Sequence, residues 1–336
     1  MALLDHQKTR FIEKISRIRK GQYHLGDFII ADAKDVDLAG GITTMGQRRD
    51  VSGKIVGNRT RPEFQDQIRE LIKQDVLDIM LASTSTIETL AQEGAFDGTR
   101  ILPAFRGNEA TDAWVGIRGG RYRETAPLPY RGAALDLASA PICLYSLTFV
   151  NDATHDVASL EAYARFRTEA RQHGIMHFLE VFNPSVDTGL SAADTPWFIN
   201  DSIIRLLASL TRAERPEFLK VAYNGPDALE ELVSHDPSVV IGVLGGGQGT
   251  HRDTFELLAQ TERHGGRLAL FGRKINAAEH QPSIVSWMRR IVDHEATPEE
   301  AVRGYHNDLQ RLGLQADRNL ETDSQITEDT LRRDAR

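Results

Sequence analysis

Cysteine is almost missing from this chain: among 336 residues only Cys143 carries a thiol. An intramolecular disulfide and a cysteine metal cage are thereby excluded. The apolar setting Pro141-Ile142-Cys143-Leu144 marks the thiol as a small core residue rather than a nucleophile. The eleven histidines form no H-E-x-x-H or other metal spacing, no Gly-Lys-Ser/Thr phosphate loop occurs, and no Ser-His-Asp arrangement stands out. We therefore expect neither a metal nor a cofactor. No apolar run approaches the ~20 residues of a membrane span, and Met1 to Lys20 is charged and amphipathic without a signal-peptide apolar core. A cytoplasmic protein without membrane attachment is expected. Positive charge is also short: the formal net charge is -8, which argues against a general nucleic-acid partner.

What the chain does contain is a regular alternation. Short apolar runs alternate with amphipathic helical stretches, the pattern of βα units and a parallel sheet. Eight such runs are legible: Phe28 to Ala33, Leu77 to Ala82, Ile101 to Arg106, Ile142 to Val150, Met176 to Phe182, Phe218 to Tyr223, Val239 to Leu244 and Leu268 to Phe271. Helices fit between them, from Pro62 to Gln74 onward, with Pro62 and Pro226 in first-turn positions. A helix around Arg10 to Lys20 precedes the first run. Another, Pro298 to Leu312, is announced by the capping box Thr297/Glu300 and stops at Gly313. Eight units predict a closed (β/α)8 TIM barrel with an N-terminal helix and an extra C-terminal helix, one domain over residues 1–314. The polar segment 315–336, without apolar period, is expected to be a loose tail. Two connections, Lys34 to Arg61 and Asn108 to Ser139, are longer than a βα loop requires and are expected to form a lid or wall on the catalytic face. The tip from Arg48 to Asn58 reads equally well as disordered.

Charges break the apolar runs at informative places. Lys220 interrupts Glu217-Phe218-Leu219-Lys220-Val221-Ala222-Tyr223. In a sheet covered on both faces its ammonium has no easy path to water, so it is either a carbonyl-attacking amine or an ion-pair partner. Glu180, on the preceding strand, shares a face with Met176, Phe178 and Phe182, and the two can meet inside a barrel. Asp32 and Lys34 share a face at the end of the first strand, Arg106 ends the third, and Tyr145 on the fourth offers a hydroxyl. Downstream, Val239-Val240-Ile241-Gly242-Val243-Leu244-Gly245-Gly246-Gly247-Gln248-Gly249-Thr250 is a strand, a glycine loop and a helix start in order. Glycine amides and a helix N-terminus form an anion nest. The next unit adds Gly272-Arg273-Lys274, and barrels often bind phosphate between the loops after strands seven and eight.

Taken together, Phe218 to Tyr223, the loop Gly245 to Gly247 and Phe271-Gly272-Arg273-Lys274-Ile275 resemble the class I aldolases of the DeoC/FbaB/LacD superfamily. The similarity is to the DhnA-type branch and covers roughly Phe28 to Leu314. It implies that Lys220 forms a Schiff base, that Gly245, Gly246, Gly247 and Arg273 bind a substrate phosphate, and that Asp32 stands in the place of a strand-one aspartate. The chain departs from the archaeal-type fructose-bisphosphate aldolases in having Phe182-Asn183-Pro184 where they carry a tyrosine before Pro-Arg-Gly. Leu179-Glu180 is closer to tagatose-bisphosphate aldolases, and Asp32-Ala33-Lys34 replaces the Asp-His-Gly of several relatives.

The expected activity is a metal-independent lyase that makes or breaks a C–C bond beside the carbonyl of a small phosphorylated sugar or keto substrate. Lys220 attacks the carbonyl; Glu180, Asp32 or Tyr145 moves protons; Gly245, Gly246, Gly247, Arg273 and Lys274, with Lys34 and Arg106, hold the substrate. A homo-oligomer is expected. The alternatives are a sugar-phosphate isomerase or epimerase using Glu180 and Asp32, and a catalytically silent phosphometabolite-binding barrel in which Lys220 only pairs with Glu180.

Overall fold

Eight parallel strands hydrogen-bond in chain order and the last closes on the first. They are β1 (Ile29–Lys34), β2 (Ile79–Ala82), β3 (Leu102–Arg106), β4 (Ile142–Thr148), β5 (Met176–Phe182), β6 (Leu219–Val221), β7 (Ile241–Leu244) and β8 (Leu268–Phe271). The computed structural model describes residues 8–50 and 54–335. Every expected strand is present within a few residues of its expected bounds, and the barrel is the expected (β/α)8 architecture.

Helix α1 (Arg10–Arg19) lies across the N-terminal end of the barrel. Phe11, Ile15 and Ile18, spaced to share one helical face, join Ile29, Ala31, Phe178 and Phe218 in a core on the barrel axis. Phe218 stacks on Phe178 with ring centroids 4.4 Å apart and meets the edge of Phe11 at 5.8 Å. The lower half of the barrel is thus filled with apolar side chains. A second core lies between the strands and the surrounding helices. Those helices are α2 (Arg61–Gln74), α3 (Thr84–Gln92), α4 (Ala153–Gln172), α5 (Thr195–Ala208), α6 (Pro226–His235), α7 (His251–Arg263) and α8 (Gln281–Val292), followed by the added α9 (Pro298–Arg311).

Local signals explain most boundaries. Thr60 and Glu63 form a capping box at α2, as Thr297 and Glu300 do at α9, and Pro62, Pro226 and Pro298 occupy first-turn positions. Helix α4 starts at Ala153. Its first two turns have little apolar period, and the start is set by Asp152, whose side chain accepts a hydrogen bond from the His155 amide at 2.9 Å.

The C-terminal segment corrects the expectation of a loose tail. Residues 315–335 pack against α7 and α9 through the short helices Leu320–Asp323 and Asp329–Arg332. Leu331 is fully buried, and Gln260 Nε2 donates to its carbonyl at 2.8 Å. Thr327 and Glu328 donate their amides to Asp253, and Thr250 Oγ1 donates to Gln325 O at 2.7 Å. Hydrogen bonds to the start of α7, rather than an apolar stripe, hold this segment.

In the first long connection, Gln47–Arg49 and Ile55–Asn58 pair as an antiparallel hairpin; its tip, residues 51–53, lies outside the described residues. The two long loops meet at Gly40 and Gly116, so closely that a Cβ on Gly40 would come within 2.9 Å of the Gly116 backbone. Among the described residues, no helix is long and apolar enough to cross a membrane.

Candidate active site

Strand pairing aligns three polar residues in one row. Ser146 on β4 is opposite Glu180 on β5, and Glu180 is opposite Lys220 on β6. Paired residues of parallel strands point to one face, and here that face is the barrel interior, immediately above the Phe178 and Phe218 layer. Lys220 Nζ lies 2.5 Å from Glu180 Oε1, and both residues are buried. On the far side of Lys220 the row continues to Gly242, whose missing Cβ leaves space for Leu268: a methyl there would sit 2.6 Å from the leucine side chain.

Arg106, at the end of β3, ties this row to the loops. Its Nη2 donates to Ser146 Oγ at 2.8 Å, and Ser146 Oγ donates to Glu180 Oε2 at 2.9 Å. Nη1 donates to Asp35 Oδ2 at 2.8 Å, and Nε donates to Asn108 O at 2.9 Å. Asn108 fixes Ser146 in turn, accepting its amide at 2.6 Å and donating to its carbonyl at 2.8 Å. Burial opposes the charge on Arg106, but the surrounding carboxylates of Asp35, Glu180 and Glu109 outweigh it and hold the guanidinium protonated above its ordinary range. The result is a connected, buried path, Asp35–Arg106–Ser146–Glu180–Lys220.

This path opens into a cavity of about 1630 Å³ at the C-terminal mouth of the barrel. Lys220, Glu180, Arg106, Gly245, Gly246 and Arg273 all line it. Gly246 has φ +63°, a left-handed conformation suited to glycine. Residues of both long connections and residues 313–318 of the C-terminal segment form its outer wall, which is where the two long loops were expected.

Several expected site residues lie elsewhere. Asp32 and Lys34 are paired at 3.2 Å, but they point outward from the barrel, because Ala31 and Ala33 occupy the inner face of β1. Lys34 Nζ donates to Gln281 Oε1 at 2.9 Å, and neither residue lines the cavity. Burial raises the Asp32 carboxyl to about 6 despite Lys34, and lowers Lys34 despite Asp32. Tyr145 is also on the outer face, packed on Phe166 and Tyr163 with centroids at 4.5 and 4.8 Å; it is a core side chain. Lys274 is buried with Nζ 2.8 Å from Glu328, while its neighbour Arg273 lines the cavity. Gly247 is not in the wall, although Gln248 is. The start of α7 is capped internally: Asp253 accepts from the Thr250 amide at 2.9 Å, and Asp323 accepts from the His251 amide at 2.9 Å. That helix end binds the protein's own carboxylates.

Asp35, Asn108 and Ser146 are the residues that sequence reasoning missed. Only Ser146 left a signal, as a polar residue sharing a strand face with Leu144 and Thr148 in an otherwise apolar run.

No family model matches the chain, and no curated protein matches it. Solved structures do. The fold is similar to that of a Schiff base forming fructose-1,6-bisphosphate aldolase, at 15% identity and a TM-score of 0.59, covering 84% of this chain and 99% of that one. An archaeal fructose-1,6-bisphosphate aldolase, with its catalytic lysine covalently bound to the carbinolamine intermediate, is similar at 16% identity and TM-score 0.59, with the same coverage of 84% and 99%. A protein from Corynebacterium glutamicum is similar at 17% identity and TM-score 0.53, covering 85% of this chain and 98% of that one. At such identities the likeness is one of fold.

Proposed function

We propose that this protein is a Schiff-base lyase that cleaves or forms a C–C bond beside the carbonyl of a phosphorylated sugar or keto compound. The observation that carries the reading is a buried lysine with a carboxylate 2.5 Å from its amine, at the floor of a large cavity. Glu180 accepts the Lys220 proton, and the free amine adds to the substrate carbonyl to give a carbinolamine. Glu180 returns a proton to the departing hydroxyl, water leaves, and a protonated imine forms. In the cleavage direction a base takes the proton from the hydroxyl one carbon beyond the α-carbon. The C–C bond breaks, its electron pair neutralises the iminium as an enamine, and an aldehyde departs. Protonation of the enamine and hydrolysis release the second product. With Asp32 and Tyr145 facing away from the cavity, Glu180 is the residue we assign to proton transfer. Gly245, Gly246 and Arg273 supply amides and a cation for the phosphate.

The test is reduction with borohydride in the presence of ketose phosphates. A mass increase at Lys220, absent in Lys220→Ala, is expected; no adduct across a broad panel would sink the reading. One observation favours a second reading, a phosphometabolite-binding barrel without turnover: Lys220 already has an ion-pair partner, Glu180, 2.5 Å from its Nζ. Thermal stabilisation by the same ligands with no adduct would favour it.

A further inference from the structure

Arg59 has no place in the site described so far. It follows the hairpin and immediately precedes Thr60, the N-cap of α2, and its side chain lines the same cavity as Arg273. Three other arginines of the wall already face a carboxylate: Arg48 faces Glu63 at 3.7 Å, Arg49 faces Asp317 at 2.7 Å and Arg106 faces Asp35 at 2.8 Å. Arg59 differs, since among the described residues no carboxylate lies within ion-pairing distance of it. Its Nη1 makes only two long bonds to carbonyls, Met45 O at 3.3 Å and Asn276 O at 3.5 Å. Burial, only partly offset by the more distant Glu63, disfavours its charge. Holding a partly buried guanidinium without a counter-charge is unfavourable unless an anion arrives.

Its placement shows where that anion would be. Asn276 ends the single turn Arg273–Asn276, so Arg59 reaches across the cavity wall to the element that carries Arg273. Its seat is built for close approach: the Arg59 amide donates to Gly46 O at 2.9 Å, and a Cβ on Gly46, where φ is +101°, would lie 2.2 Å from Arg59 Nη1. The bare Gly46 backbone thus leaves room for the Nη1 end of the guanidinium.

We infer that Arg59 is a second arginine of the phosphate subsite, acting with Arg273 and the Gly245–Gly246 amides on one phosphate monoester dianion. This deepens the proposed function and rests on reading the cavity as a phosphate-bearing substrate site. Two guanidiniums from separate loops suit a dianion with three oxygens better than they suit a single carboxylate, and planar forks match phosphate geometry. Because Arg59 comes from the first long connection, phosphate also bridges that connection to the strand-eight turn.

The experiment titrates inorganic phosphate into the full chain by calorimetry at constant ionic strength, with sodium chloride as the blank. Arg59→Met is expected to weaken phosphate binding at least fivefold, with Arg59→Lys between it and the parent, while far-ultraviolet circular dichroism is unchanged. A smaller loss overturns the assignment, as does loss in Arg318→Met without loss in Arg59→Met; Arg318 also lines the cavity. Failure of the parent to bind phosphate overturns the subsite as a whole. Borohydride trapping at Lys220 with an unphosphorylated ketone reports separately on the Schiff-base reading, so the two fail independently.

Discussion

Replacing Asp323 by Asn should release the C-terminal segment. Asp323 is 1% exposed, its Oδ1 accepts the His251 amide at 2.9 Å, and its Oδ2 lies 2.6 Å from His251 Nδ1 and 2.8 Å from His306 Nε2. Burial alone would raise this carboxyl, but hydrogen bonds and charge from His251, with His306, hold it at about 2, below the ordinary 3.8. For an acid depressed on folding, the stabilisation is present above the unfolded value and disappears as pH falls through the folded one. Here it is complete above about pH 4 and lost between about pH 4 and pH 2. The gap corresponds to about 2 kcal/mol, or roughly a 60-fold change in the docking equilibrium. Because the segment is a peripheral element, the effect should appear as local opening rather than as global unfolding. Hydrogen exchange of amides 319–332, corrected for intrinsic rates, should be about 60-fold less protected in Asp323→Asn at pH 7. The parent should lose comparable protection between pH 4 and pH 2, and the variant much less. Equal protection in the two proteins at pH 7 would refute the reasoning.

Leu331→Ala should weaken docking of the same segment by about 2–5 kcal/mol, measured as faster limited proteolysis within residues 313–335. Arg106→Met leaves the carboxylates of Asp35 and Glu180 without their shared cation and should cost about 3–5 kcal/mol of stability in chemical denaturation. Asp32→Leu alone should destabilise by a similar amount, since Lys34 then stays buried without a counter-ion, whereas the double replacement Asp32→Leu/Lys34→Met should be at least as stable as the parent. Ser146→Ala should lower the rate of borohydride trapping at Lys220 by roughly 5- to 150-fold, the equivalent of ~1–3 kcal/mol for an unpaired buried acceptor. Ser146→Thr, which keeps the hydroxyl, should restore much of that rate.

The barrel was legible because strands buried on both faces leave apolar runs that helices cannot imitate at that length. Lys220 and Glu180 were legible for the same reason, each being a charge in such a run. What failed was parity. In Phe28-Ile29-Ile30-Ala31-Asp32-Ala33-Lys34 both faces are apolar up to Asp32, so alternation alone does not say which face is interior. A cue was available in retrospect: the small residues Ala31 and Ala33 face an axis already crowded by Phe178 and Phe218. Lys274 failed by helical geometry, for consecutive residues of a turn point about 100° apart, and a single turn cannot aim Arg273 and Lys274 at one ligand. Asp35, Asn108 and Arg59 lie on connections, where position depends on how the loops fold over the mouth and no period exists to read. The C-terminal segment was misread because its docking rests on capping hydrogen bonds and one leucine, neither of which produces an apolar period.

These placements change where the cavity's positive charge comes from. The strand-eight loop does not deliver two cations to the ligand, because Lys274 pairs with Glu328 of the C-terminal segment. Nor is the end of α7 open to a ligand, since Asp253 and Asp323 occupy its amides. Both features that the glycine-rich sequence seemed to offer to phosphate are instead used to fasten the last twenty residues of the described chain onto the barrel. That segment then contributes its own residues 313–318 to the cavity wall, and its Asp317 pairs with Arg49 of the hairpin at 2.7 Å. The mouth is therefore assembled from four sources, the barrel rim, the two long connections and the C-terminal segment, and the arginines of its wall come from more than one of them. A ligand that engages Arg273 and Arg59 together would draw the rim and the first connection toward each other.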